Sequence, residues 1–346
     1  MKVLLIGGTG TISGAVASLL SEREEDLTLL NRGSHPGAAP KNGKVIHCDV
    51  NDEAAVAAAT AGMTFDVVCQ FVGFQPEQVE RDYRLFSGRT RQYIFISSAS
   101  AYHKPVVDYR ITEGTALANP YWAYSRGKIA CEEFLMEMYR KNGFPVTIVR
   151  PSHTYGERSV PLGVHGKKGS WQVLKRMQEG KPVIIPGDGS SLWTITHCRD
   201  FARAFVGLTA NPHAIGEAFH ITSDEVLTWD QLYAAAANAL GVTLKPYHVA
   251  SEFLAAANPP YDYSGSLVGD KANSVVFDTA KIKRAVPGFA ATITAAQGIR
   301  EAVDYILTHP ECQTEDPEFD IWCDRVIRAL ENAKMTLSGV RNEQEM

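Results

Sequence analysis

The chain has 346 residues, 45% hydrophobic and 21% charged, with a formal net charge of −5. This is ordinary globular composition, long enough for one large α/β domain with a lobe or for two domains. The acidic balance supplies no electrostatic footprint for nucleic acid or an anionic surface, and no apolar run approaches the roughly 18 residues of a membrane span.

Lys2–Ile6 is a short apolar run ending in glycines. No basic region or cleavage-site pattern precedes it, so the chain reads as cytoplasmic without a secretory signal. Gly14–Glu22 has helical spacing, with Ala15, Ala17, Leu19 and Leu20. Leu27–Leu30 is the next strand, followed by Asn31 and the turn residues Arg32-Gly33-Ser34. Further strands are expected at Val45–Cys48, Asp66–Gln70, Gln92–Ser97 and Val146–Val149, with helices at Ala54–Ala61, Pro76–Ser87 and Tyr121–Asn142. Repeated strand–helix–strand units with Val-, Ile- and Phe-rich strands predict a doubly wound parallel sheet buried on both faces, a Rossmann-like α/β fold.

After Pro151 the pattern loosens. Gly163–Ser170 reads as a loop, Ser170–Glu179 as a helix, Pro182–Ile185 as a strand, Arg199–Thr209 as a helix and Ala218–Thr222 as a strand. Thr228–Leu240 is helical and stops at Gly241; a further helix is expected near Phe319–Lys334, and 342–346 as a frayed end. The chain is expected to divide into a Rossmann-like domain over 1–157, with 194–224 returning to it, and a mixed α/β lobe of 158–193 and 225–346. The six cysteines include no C-x-x-C pair and fit reduced, mostly buried thiols.

Gly7-Gly8-Thr9-Gly10 sits where the first strand turns into the first helix. Glycine permits positive φ in such a turn and lets backbone approach a pyrophosphate, whose charge meets the helix N-terminus. Gly7, Thr9, Gly10, Thr11 and Ile12 are therefore candidate phosphate contacts. Ser13 stands where a third glycine is often found, with Gly14 beside it. The second strand ends in Asn31-Arg32 rather than in a carboxylate for a ribose hydroxyl. Arg32 is read as contacting a 2′-phosphate, stacking on adenine or simply facing solvent, so NAD or NADP is expected with NADP favoured. Asp49 and Val50, after the third strand, are placed for the adenine, and Phe71 and Pro151 are further cofactor candidates.

Ser98, Tyr124 and Lys128 are the candidate catalytic residues. Tyr124-x-x-x-Lys128 puts a phenol and an ammonium on one helix face. The positive charge favours phenolate, which can exchange a proton with a substrate hydroxyl or carbonyl during hydride transfer. Ser98 ends a strand at the sheet's carboxyl edge, where α/β ligands bind. Ser100, Tyr102, His153 and Trp193 are candidate substrate contacts, although Tyr102 and Trp193 read equally as core aromatics, with pocket lining favoured. His103 and His197 read more readily as hydrogen-bonded structural histidines, and no H-x-x-x-H or H-E-x-x-H pattern suggests a metal.

Gly7-Gly8-Thr9-Gly10, Ser97-Ser98-Ala99-Ser100-Ala101-Tyr102, Tyr124-x-x-x-Lys128 and Arg150-Pro151-x-x-x-Tyr155-Gly156 together resemble the extended short-chain dehydrogenase/reductase family of NAD-dependent epimerases and dehydratases. The likeness continues through Pro186-Gly187-Asp188-Gly189, Ala218-Phe219-His220-Ile221 and Asp278-Thr279-x-Lys281. It implies a serine–tyrosine–lysine triad, a nicotinamide cofactor, a C-terminal substrate lobe and a homodimer through helices 76–87 and 121–142. Nucleotide-sugar members hold the diphosphate with an asparagine and an arginine; here the matching places are His153 and Trp193. Sugar dehydratases carry an Asp-Glu pair where Ala99 and Ser100 stand. The chain is therefore expected to be an epimerase or reductase of a carbohydrate-like small molecule not held as an ordinary nucleotide sugar, unless Lys167 or Lys168 grips the phosphates. A non-catalytic dinucleotide sensor and an RNA-binding protein are the alternatives on the same fold; chloroplast stem-loop-binding proteins also resemble this family. Retention of Tyr124 and Lys128 and the net acidity favour the enzyme.

Overall fold

A computed structural model describes residues 1–33, 40 and 42–344, the side chains of 340–344 excepted. Ser34, in the expected turn after the second strand, lies outside the described residues, as do residues 345 and 346 of the expected frayed end. The last helix, Pro317–Gln344, runs up to them.

The first of two compact units comprises 1–156, 194–226 and 274–295. Its centre is a seven-stranded parallel sheet in the spatial order Ala218–Ile221, Val146–Pro151, Thr90–Ile96, Phe65–Gln70, Lys2–Ile6, Asp26–Asn31 and Lys44–His47. The order reverses between Lys2–Ile6 and Phe65–Gln70, which pair in register from Val3 opposite Val67. Helices cover both faces because successive strand side chains alternate. Val3 and Leu5 bury one way, with Val16 and Leu20 of helix Thr11–Glu22 and Phe201 and Phe205 of helix Cys198–Leu208. Leu4 and Ile6 bury the other way, with Val79 and Phe86 of helix Pro76–Phe86 and Cys131 and Leu135 of helix Ala123–Asn142. Each such aliphatic side chain, removed fully from water, contributes about 1.5–3 kcal/mol.

The first helix starts at Thr11, ahead of the expected Gly14, because the Gly10 amide finds an acceptor in Ser13 Oγ at 3.0 Å. Helix Ala123–Asn142 starts later than expected. Tyr121 and Trp122 lie before it, and their amides donate to Asn119 Oδ1 at 3.1 Å each.

The second unit takes 157–193, 227–273 and 296–346. Strand Val183–Pro186 pairs in parallel with Pro246–Val249, and Leu192–Trp193 pairs antiparallel with Leu227–Thr228. Arg176, 1% exposed, joins helix Trp171–Gln178 to the last helix by reaching the Asp320 and Asp324 carboxylates at 2.6 and 2.7 Å.

One boundary needs correction. Residues 274–295, expected in the lobe, belong to the first unit. Val276–Phe277 pairs with Arg110–Ile111, and Ile282 is wholly buried in the core beside Phe205. The single apolar residue that anchors helix Ala280–Ala285 is too faint a pattern to assign it from sequence.

Candidate active site

The first strand ends at Ile6, and the chain then takes φ of +107° at Gly7 and +99° at Gly8. A Cβ on Gly8 would lie 2.7 Å from Leu29 Cδ2, so this glycine serves both conformation and packing. Gly10 is different. Its φ is −83°, and a Cβ there would meet only Ser13 Oγ, at 3.4 Å. Gly10 is exposed, Thr9 half-buried, Thr11 exposed and Ile12 half-buried. The first amides of a helix have no intrahelical acceptor. Ser13 takes up that of Gly10, so Thr11 and Ile12 carry the amides at the helix mouth.

At the end of the second strand, Asn31 Oδ1 accepts the Gly33 amide at 2.8 Å, and Gly33 has φ of +74°. Arg32 is exposed in this turn. Asp49 Oδ1 accepts from the Asn51 amide at 2.9 Å, while Val50 packs partly against the core. The Phe71 amide donates to Ile6 O at 3.1 Å, continuing the central ladder beyond Gln70. Pro151 closes its strand opposite Ile221.

Lys128 is 1% exposed. Its Nζ donates to Gly73 O at 2.6 Å and to Ile96 O at 2.7 Å. It also lies 4.6, 5.0 and 5.7 Å from the ring centres of Phe74, Phe95 and Tyr124. The lysine thus ties its helix to the carboxyl ends of two central strands. Burial pushes its ammonium down to about 8. The Tyr124 ring is half-buried against Trp122, centres 4.9 Å apart, and Phe74, 6.2 Å. Ser98 follows strand Thr90–Ile96, and its Oγ lies 2.9 Å from Ser100 Oγ. Ser100 Oγ in turn lies 2.7 Å from Ser125 Oγ, which fastens the helix position next to Tyr124 onto the Ser98 turn.

Ser100 and Tyr102 correct the expected substrate contacts. Ser100 is 3% exposed, and its hydroxyl is engaged by Ser98 and Ser125. Tyr102 is 1% exposed; its hydroxyl lies 3.1 Å from His220 Nδ1 and 3.2 Å from Arg150 Nη1. Arg150 forks onto Glu132 at 2.9 and 2.5 Å. This satisfied polar network knits the sheet to its helix. Trp193 is also a core aromatic, 4% exposed and stacked on Trp229 at 5.5 Å and 26° in the second unit. Half-buried His153 lies on strand His153–Tyr155, opposite Ile195. His103 Nδ1 meets Pro105 O at 2.8 Å, and His197 Nδ1 accepts the Arg199 amide at 3.2 Å, as structural histidines do.

Sequence reasoning missed Gly127. A Cβ on it would stand 2.5 Å from the backbone oxygen of Phe74. A glycine inside a helical pattern is the signal that was available. A cavity of about 670 Å³ in the first unit, lined by Glu113, Glu132, Arg150, Asp278 and Lys281 among others, includes none of the triad or glycine-turn residues.

The second unit buries another lysine. The Lys271 ammonium has one hydrogen bond among the described residues, to Gly163 O at 3.3 Å, and burial pushes it down to about 8. Unfolded lysine titrates near 10.4. Below about pH 8 the cost of burying the charge is constant. Between 8 and 10.4 the unfolded chain holds more protons, so this lysine adds stability as pH rises. Wild type is expected to gain about 1 kcal/mol on Lys271→Met between pH 8 and 9, and about 3 kcal/mol by pH 10.5. Urea unfolding of both proteins across this range reads the difference; a constant gap would refute it. Taking the difference cancels the opposing effect of buried thiols such as Cys131, which burial pushes up to about 12.

Comparison with known proteins bears on this arrangement. Residues 3–222 match the model of the NAD dependent epimerase/dehydratase family. The chain is 25% identical over 289 residues to 2'-dehydrokanamycin reductase of Streptomyces kanamyceticus, covering 84% of this chain and 80% of that protein. It is 28% identical over 253 residues to the chloroplast stem-loop binding protein of 41 kDa b of Arabidopsis thaliana, covering 69% of this chain but 63% of that one. The fold matches UDP-glucuronic acid 4-epimerase from Bacillus cereus, solved with UDP-glucuronic acid and NAD. The TM-score is 0.70 at 18% identity, over 89% of this chain and 99% of that one. A family match over most of the chain, on a seven-stranded Rossmann-like sheet, makes this protein a member of the NAD dependent epimerase/dehydratase family, an extended short-chain dehydrogenase/reductase.

Proposed function

We propose that the protein is a nicotinamide-dependent reductase or epimerase acting on a sugar-like ketone or hydroxyl through Ser98, Tyr124 and Lys128. The observation that carries the reading is the buried Lys128 ammonium. It bridges the carbonyls of Gly73 and Ile96 and lies 5.7 Å from the Tyr124 ring centre, at the carboxyl edge of the sheet. In open α/β sheets that edge, where strand order reverses, is where ligands bind.

The glycine turn fits a dinucleotide pyrophosphate. Gly10 is exposed and lacks a Cβ, and the Thr11 and Ile12 amides head a helix. Gly7, Thr9, Gly10, Thr11 and Ile12 would hold the phosphates, Asn31, Arg32, Asp49 and Val50 the adenosine end, and Phe71, Pro151, Tyr124 and Lys128 the nicotinamide end. Exposed Arg32, with no carboxylate beside it on that strand end, favours NADP over NAD. When bound, the nicotinamide supplies the hydride donor or acceptor. Tyr124 moves the proton at the substrate oxygen, Lys128 favours the phenolate by its charge, and Ser98 donates a hydrogen bond to that oxygen. His153 remains a candidate substrate contact.

Ala99 and Ser100, where dehydratases carry an acid pair, favour redox or epimerisation over water loss. A relative named as a reductase of 2'-dehydrokanamycin, matched over most of the chain, supports that choice. Lys167, 64% exposed and 3.9 Å from Glu318, and Lys168 are the lysines that would grip phosphates in the alternative. A homodimer through the paired helices Pro76–Phe86 and Ala123–Asn142 belongs to the same proposal; Tyr83 and Phe134 join them edge to face at 6.0 Å.

The test combines nicotinamide fluorescence with a panel of free ketosugars, aminoglycoside ketones and UDP- or dTDP-sugars. Turnover of a nucleotide-free ketosugar is expected. Sub-micromolar calorimetric binding of a UDP- or dTDP-sugar would overturn the nucleotide-free part. Salt-sensitive retention of stem-loop RNA without any dinucleotide binding would favour the RNA-binding alternative.

A further inference from the structure

Three serine hydroxyls form a chain that runs from the helix of Tyr124 to the candidate catalytic turn. Ser125 Oγ lies 2.7 Å from Ser100 Oγ, and Ser100 Oγ lies 2.9 Å from Ser98 Oγ. Ser125 is 0% exposed and Ser100 is 3% exposed, while Ser98 is half-buried. Distances alone leave the direction of the hydrogens open.

Satisfaction of buried donors decides it. Each hydroxyl has one hydrogen. Among the described residues, the Ser125 hydroxyl has one partner, Ser100. If Ser100 gave its hydrogen to Ser125, the Ser125 hydrogen would have no acceptor in a fully buried place, which is the costly outcome. In the opposite direction every buried hydrogen is used. Ser125 donates to Ser100, and Ser100 donates to Ser98. The Ser100 amide also donates to Ser98 Oγ, at 3.2 Å. Ser98 then accepts twice from Ser100, and its own hydrogen is left for the open side. Chains of this kind polarise each hydroxyl in turn, making the last a stronger donor.

We infer that Ser100 and Ser125 are positioning residues that commit Ser98 to act as a hydrogen-bond donor toward an oxygen acceptor of the substrate. The inference rests on the proposed role of Ser98 and extends it. With both lone pairs occupied, Ser98 is a poor proton acceptor. It recognises a carbonyl or a hydroxyl oxygen, and proton exchange falls to Tyr124. Ser100 also holds the turn by accepting from Asn119 Nδ2 at its carbonyl, 2.8 Å away. No group is transferred along the chain; it sets direction.

Neutron diffraction from crystals of the deuterium-exchanged full chain, grown without substrate, reads the hydrogens directly. The expected map has deuterium on Ser125 aimed at Ser100, on Ser100 aimed at Ser98, and on Ser98 aimed away from both. Deuterium on Ser98 aimed at Ser100, or mixed orientations, would overturn the inference. Ser125→Ala is a near-isosteric companion that removes the first donor. Its kcat on the ketosugar from the panel is expected to fall roughly three- to tenfold with cofactor KM unchanged, the effect of one neutral hydrogen bond. An unchanged kcat overturns the inference as well. These outcomes are separable from failure of the enzyme reading, which Tyr124→Phe tests without reference to Ser100 or Ser125.

Discussion

Tyr124→Phe is expected to lower turnover roughly 10²- to 10⁴-fold, the usual contribution of a positioned acid–base group, while leaving dinucleotide affinity within about threefold. The substitution removes one oxygen and keeps the ring. Contacts to Trp122 and Phe74 depend on that ring, so the local packing survives. Lys128 keeps its two carbonyl partners, because neither belongs to Tyr124. What is lost is the group proposed to exchange a proton with the substrate oxygen. Steady-state kinetics with the ketosugar panel measures the first quantity, and nicotinamide fluorescence titration the second. Turnover equal to wild type would remove Tyr124 from the mechanism. Loss of both turnover and dinucleotide binding would instead mean that the hydroxyl holds the cofactor.

The parts of this molecule that were legible in sequence are those fixed by short-range chemistry. Apolar strands such as Lys2–Ile6, punctuated by glycine and followed by helical spacing, have few alternatives to a parallel sheet with helices on both faces. The pairing of Tyr124 with Lys128 follows from helical geometry alone. Partners far along the chain were not legible. Tyr102 reads as a candidate substrate contact, but Arg150 and His220 claim its hydroxyl. Trp193 reads as a candidate substrate contact, and its stacking on Trp229 is invisible in the sequence. The π-helix Ser264–Lys271 has no side-chain period that would announce it. Ser100 resembles any small residue of a tight turn, and the approach of Ser125 from another element is not visible in the sequence.

Gly127→Ala shows how much of the site depends on one such approach. Helix propensity argues that alanine stabilises the interior of a helix by about 1 kcal/mol. The opposite is expected here. The added Cβ would sit 2.5 Å from Phe74 O and 3.2 Å from Gln75 Nε2, and the first of these is backbone, which has no rotamer to yield. The helix must move from the loop, and Lys128, the next residue, must stretch its 2.6 Å bond to Gly73 O across the same gap. Such overpacking costs about 1–3 kcal/mol, so the net change is a loss despite the better helix former. Dinucleotide affinity and turnover are expected to fall with it, because Gly73, Phe74 and Lys128 move together. Gly339→Ala is the matched control: it lies inside the last helix with open space around its Cβ and is expected to stabilise by about 0.5–1 kcal/mol. Thermal and urea unfolding of the two variants should therefore shift in opposite directions. A Gly127→Ala protein as stable and as active as wild type would show that the helix is free to withdraw, and that the Lys128 tether to the strand ends does not set the geometry of the site.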